Sequence, residues 1–239
     1  MTANPVASAP SPLTLPAKDW LGWLGSRGDE QLATARGRAE ALKAAPPTEA
    51  LGALQVWNDV HVGLANAAAV GSLLAEVHPD PVVRERAEEI VQAAQKLDTD
   101  LGLDPGLYAV FERLDGSDLD PDAARVLERT LRDFRRAGVD RDVATRDRLR
   151  ELSERSVLLS QEFSKNIRED VRSIAVRPDQ LAGLPADWVA SHPAGEGGLV
   201  TVTSDYPDAI PFRTFAEDAE ARRDLTRVCL NVGWPSNDV

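Results

Sequence analysis

Three times in this chain an Asp-Pro pair stands directly ahead of apolar residues spaced three and four apart: Asp80-Pro81, Asp104-Pro105 and Asp120-Pro121. Each pair is a helix start. The Asp carboxylate can accept the unpaired N–H groups of a first turn, and Pro suits that turn because it has no N–H to leave unsatisfied. Behind the first pair, Val83, Ala87, Ile90, Ala94 and Leu97 form one stripe. Leu107, Phe111 and Leu114 form a short second stripe. Ala124, Leu127, Leu131 and Phe134 form a third that stops at Gly138. Upstream, Ser26 is expected to cap a helix to about Ala45, broken by Pro46-Pro47. Thr48-Glu49 then open a helix with Ala50, Leu54, Trp57, His61, Leu64 and Ala68 along one seam, ending near Val77.

The longest helix is expected over about residues 141–171, with Leu152, Leu159, Phe163, Ile167 and Val171 facing one way as a spine of the domain. Its other face is charged, and Glu151 stands four before Arg155 as a weak helical pair. The pattern then changes. Ser173–Val176 and Leu199–Thr203 are short and rich in β-branched residues, and read as two paired strands with a long insert. The insert holds a turn at Leu181–Pro185 and a short helix around Asp187–Ser191. Asp205–Pro211 reads as an extended loop and Thr214–Asn231 as a last helix. The fold class is therefore mainly α, a multi-helix lobe with a small two-stranded β element near residues 173–203. Three segments are expected: a disordered or loosely packed leader over 1–25, a helical lobe over 26–172, and a hairpin-like segment plus helix over 173–239.

Composition narrows the partners. Lys and Arg number 27 against 39 Asp and Glu, a formal charge of −12 that repels a phosphate backbone, so no nucleic-acid partner is expected. No run reaches the ~18 uninterrupted apolar residues of a membrane helix, so no membrane partner is expected. The first sixteen residues, Met1–Pro16, lack a basic and then apolar leader pattern. A single cysteine, Cys229, rules out an internal disulfide and suits a reducing compartment.

Chemistry-bearing residues are few. The three histidines are His61, His78 and His192, and none begins His-Glu-x-x-His, in which two ligands share a helix face beside a general base. His61 is expected as a buried, hydrogen-bonded core or interface residue. His78 and His192 fall at helix ends, where a cation meets the C-terminal dipole. Cys229 reads as a small core residue, because a catalytic thiol needs an electropositive, open site with a base. The acid pairs Glu88/Glu89, Glu151/Glu154 and Glu169/Asp170 read as solvated helix faces rather than general acids and bases. The Gly195-Glu196-Gly197-Gly198 run precedes a strand and not a helix, which argues against phosphate binding. Tyr206 is expected to anchor its loop by ring burial, and Trp20, Trp23, Trp57, Trp188 and Trp234 to anchor packing. No catalytic, cofactor-binding or metal-ligating residue is assigned.

Five stretches stand in an order that carries a resemblance. They are Leu159-Ser160-Gln161-Glu162-Phe163-Ser164-Lys165-Asn166-Ile167-Arg168-Glu169-Asp170, Leu181-Ala182-Gly183-Leu184-Pro185 with Asp187-Trp188, Asp205-Tyr206-Pro207, Ile210-Pro211-Phe212, and Arg222-Arg223 with Asn231. Together they resemble the thimet oligopeptidase-like zinc metallopeptidases, the group of oligopeptidase A, neurolysin and dipeptidyl carboxypeptidase. The resemblance implies a two-lobed helical enzyme that cleaves short peptides in a deep channel, with one zinc held by two His and a Glu. In the family those ligands lie downstream of the segment ending at Asn231. None is carried onto this chain, which is expected to bind no zinc and to be inactive alone. Its expected partners are short peptides, in the full-length enzyme, and a missing C-terminal catalytic lobe. The expected location is cytoplasmic. The alternative is a truncated helical scaffold, or a module that binds peptides or a partner without catalysis.

Overall fold

The computed structural model describes residues 14–238, so the first half of the expected leader lies outside the described residues. The described residues are mainly helical, with one small antiparallel sheet. They fall into two compact units, one running to Val157 and the other beginning at Leu158.

The first unit is a bundle of α1 (Trp20–Leu24), α2 (Glu30–Ala44), α3 (Ala50–Val77), α4 (Pro81–Gly102), α5 (Pro105–Glu112), α6 (Pro121–Ala137) and the start of α7 (Val143–Glu169). The three Asp-Pro signals act as expected. Asp80 accepts from the Val82 N–H at 2.9 Å, Asp104 from Gly106 at 2.7 Å, and Asp120 from Asp122 at 2.9 Å. Gly138 ends α6 at φ +99°, a left-handed position that a side chain resists.

Ser26 does not start a helix. Asp19 does, accepting from the Gly22 N–H at 3.0 Å, and the chain continues through a π turn at Gly25–Asp29 into α2. Ser26 lies inside that turn, where its hydroxyl bonds back to the Trp23 carbonyl at 3.1 Å instead of capping. Residues 20–25 of the expected leader are therefore helical, and Leu24 is fully buried.

In α3 the buried stripe runs through Leu54, Val60, Leu64, Ala67 and Leu74, packed against α2 and α4. His61 is not in it. By length and composition α3 is the one helix among the described residues able to cross a membrane, which no uninterrupted apolar run in the sequence had indicated. Its buried stripe is nonetheless part of the bundle core. At the far end of that core, Trp57 stacks on Phe134 with ring centroids 5.4 Å apart and 26° between planes, and Phe111 packs against both.

Helix α7 departs from expectation. No residue in it is buried, and Leu152, Leu159, Phe163, Ile167 and the following Val171 are 41–51% exposed. The apolar stripe exists but is only partly covered, so α7 is not a buried spine. Glu151 pairs with Arg148, three residues away, rather than with Arg155.

The second unit is built on β1 (Ser173–Val176) and β2 (Val200–Thr203), antiparallel with Ser173 opposite Thr203 and Val176 opposite Val200. Between them lie a 3-10 turn (Pro178–Leu181) and α8 (Ala186–Ser191); after them come α9 (Tyr206–Phe215) and α10 (Ala219–Cys229). Val176, Leu181, Trp188, Val202, Phe212 and Leu225 form its core.

Two expectations fail here. The segment expected as a loop, Asp205–Pro211, lies largely in α9. The expected last helix is two helices, broken at Ala216–Asp218. Asp218 explains the break: its carboxylate accepts from the Glu220 and Ala221 N–H groups and starts α10 afresh.

Candidate functional site

The five stretches singled out in the sequence converge in the second unit, where most of their contacts hold that unit together. Pro211 sits inside α9 and has no N–H to give to the carbonyl four residues back, which belongs to Pro207. The indole of Trp188 supplies the missing donor, its Nε1 reaching the Pro207 carbonyl at 3.2 Å. Trp188 also lies flat on His192, with ring centroids 3.7 Å apart.

His192 completes a small polar knot. Its Nδ1 is 2.8 Å from the Trp188 carbonyl and its Nε2 is 3.0 Å from Asp208. The other Asp208 oxygen takes the Thr203 hydroxyl at 2.6 Å and the Thr203 N–H at 3.1 Å. Burial alone would push the Asp208 carboxyl up. The bonds from Thr203 and His192 outweigh it and hold the group below the usual carboxylate range. The knot ties α8, β2 and α9 together.

The remaining motif residues follow the same logic. Gly183 has φ +91°, and a Cβ there would run into the Phe215 carbonyl oxygen, so the turn requires glycine. The neighbouring Ala182 carbonyl takes the Glu217 N–H at 2.8 Å, which fixes the break between α9 and α10. Asn166 donates to Asn237 at 2.8 Å, and Asn237 returns a bond to the Phe163 carbonyl. Asp170 accepts from Arg172 and from the Gly233 N–H at 2.8 Å, which lowers its pKa below the ordinary value. Arg222 donates to the Ala216 carbonyl, and Asn231 to the Arg227 carbonyl at 2.6 Å.

The other sequence candidates are scattered. His61 is exposed, with Nδ1 3.0 Å from the Trp57 carbonyl, so the buried position expected for it belongs to Val60. His78 ends α3 as expected, and its Nδ1 accepts the Asp80 N–H at 3.1 Å. Cys229 is partly buried against the second core. Glu89 pairs with Arg86, and Glu154 with Lys96.

Two aromatic expectations are corrected. Tyr206 is 80% exposed, because it opens α9 while Pro207 and Asp208 make the anchoring bonds behind it. Trp234 is 59% exposed and packs in neither core. Among the described residues no three of His, Cys, Asp and Glu come together as a metal site, so the residues present do not fit the zinc implied by the resemblance.

No family model matches the chain. Curated proteins do match it. A thimet-like oligopeptidase of Dictyostelium discoideum is 27% identical over 161 residues, covering 64% of this chain and 24% of that protein. Saccharolysin of Saccharomyces cerevisiae is 23% identical over 164 residues, with 64% and 23% covered. Oligopeptidase A of Escherichia coli is 25% identical over 169 residues, with 65% and 25% covered. Curated homologues of this chain are a thimet-like oligopeptidase, saccharolysin and oligopeptidase A. The resemblance carried by the ordered motifs is thus upheld at low identity, and the chain matches about a quarter of the length of these oligopeptidases. Sequence reasoning missed Asp208 and the partnership of Trp188 with Pro211. The signal available was a proline placed four residues after another proline, which leaves one carbonyl without a helical donor.

Proposed function

We propose that this chain is the N-terminal, non-catalytic part of a zinc-dependent metallo-oligopeptidase that hydrolyses short peptides in a channel. The observation that carries the reading is that the chain aligns with only about a quarter of each oligopeptidase relative. The assembled motif residues support it, since their side chains cap helices, fill carbonyls and fill the second core. Zinc, its two His and Glu ligands and the general base then belong to another part of the enzyme. The partners are short peptides and a catalytic lobe, and the location is cytoplasmic, where a lone Cys229 needs no oxidising environment.

The exposed face of α7 in the second unit, with Leu159, Phe163 and Ile167, is the surface that such a lobe would cover. The test is to incubate the purified chain with zinc and a quenched fluorescent peptide, and to read the gene past the codon for Val239. No cleavage, with a frame that runs on into His-Glu-x-x-His and a downstream Glu, is the expected result. Cleavage by the chain alone, or one zinc retained through dialysis, overturns the non-catalytic assignment. A stop codon directly after Val239 replaces it with the scaffold reading.

A further inference from the structure

Within the first unit, α3, α4, α6 and the N-terminal turns of α7 enclose a cleft of about 630 Å³. That is the size of a small-molecule site, and its make-up is that of one, an apolar floor with a few polar groups at the mouth. The floor is Trp57, Phe134 and Leu149, with Trp57 stacked on Phe134 and held rigid by Phe111 behind. The mouth carries His61, Asp98 and Asp133.

The charged groups of the lining are acids, and the other polar lining residues, Asn58, Thr99, Thr130 and Ser153, are neutral. The Asp98 carboxylate has no hydrogen bond or ion pair among the described residues. Asp133 is engaged through one oxygen, by the neighbouring Arg132 guanidinium, and keeps the other open. His61 Nδ1 lies 3.0 Å from the Trp57 carbonyl, which accepts from it. No Lys or Arg lines the cleft among the described residues. The unpaired Asp98 carboxylate and the open oxygen of Asp133, above an aromatic floor, complement a ligand with N–H donors, a positive charge and an apolar body.

We infer that this cleft is a binding site for a small organic cation, a protonated amine on an aromatic-sized apolar group. The apolar body lies against Trp57 and Phe134 while the ammonium meets Asp98 and Asp133. The site uses none of the residues of the five ordered motifs.

The test is a titration of the full chain with tryptamine and with tryptophol, its neutral isostere, followed by calorimetry and by amide chemical shifts. Tryptamine is expected to bind one-to-one and at least about tenfold more tightly than tryptophol. Asp98→Asn, at an exposed position, is expected to erase most of that preference without moving the melting curve. Val126→Trp, at the cleft wall and 51% exposed, is expected to block both ligands. Equal affinity for the two ligands overturns the inference, as does tryptamine failing to saturate by ~10 mM or a preference unchanged in Asp98→Asn.

Discussion

The indole N–H of Trp188 donates to the Pro207 carbonyl at 3.2 Å and fills the place that Pro211 leaves empty in α9. A helix with an internal proline is tolerated here because a side chain from another element takes over one backbone bond. Trp188→Phe keeps the apolar bulk but removes the donor. It is expected to destabilise the second unit by about 1–3 kcal/mol in a denaturant melt, the cost of a buried carbonyl left unpaired. In a Pro211→Ala background residue 211 can bond to Pro207 itself, so the same substitution should cost clearly less. Equal costs in the two backgrounds would show that the indole N–H has no such role.

The Asp208 knot predicts an acid response. Its carboxyl is pushed up by burial but held below the ordinary value by Thr203 and His192, so its contribution is present above the unfolded-state value of about 3.9 and is lost as pH falls through the lower folded value. Stability measured from pH ~5 downward should therefore fall less steeply in Asp208→Asn than in the unmodified chain. Parallel pH profiles would remove the knot as a source of acid sensitivity.

Asp104 has two tasks. It caps α5 and it pairs with Lys43 at 2.7 Å, with both side chains about three-quarters buried. Asp104→Ala should cost about 1–2 kcal/mol for the cap alone. The bond to Asp104 outweighs burial and raises the Lys43 pKa above 10.5, so the pair's stabilisation through Lys43 is full below that unfolded value and is lost as pH rises through the folded one. The difference between Asp104→Ala and the unmodified chain should shrink in melts at strongly alkaline pH.

Phe111 is fully buried between Trp57 and Phe134, whereas Phe215 is 51% exposed. Phe111→Ala is expected to cost about 3–5 kcal/mol. Phe215→Ala should fall within about 0.5 kcal/mol, as at ordinary surface sites. Chemical denaturation of the two variants under identical conditions checks the contrast.

Helix starts with a local cause were readable in advance. Asp80, Asp104 and Asp120 cap the helices that follow them because cap and proline act within one turn of chain. The strands at 173–176 and 200–203 were readable for a similar reason, their β-branched residues being clustered. Where a distant group supplied the cause, the reading failed. Asp205–Pro211 reads as a loop until Trp188 is seen to complete α9. Ser26 reads as a cap until Asp19 and the π turn place it mid-helix. The apolar stripe of α7 was legible, but its exposure was not, because a seam says which residues are apolar and not what covers them.

By itself the sequence determined the helical class, the sites of most helix starts, the ordered motifs that carry the resemblance to oligopeptidases and the absence of His-Glu-x-x-His. These follow from dihedral preference, capping and spacing, all properties of short stretches of chain. Only the tertiary structure decided that His61 leaves the core to Val60, that Asp208 gathers bonds from two other elements, and that Asp98 and Asp133 face a shared cleft above Trp57. Those outcomes depend on which surfaces meet when separate elements pack, and on the energy of leaving a buried donor or acceptor unmatched, which no local pattern records.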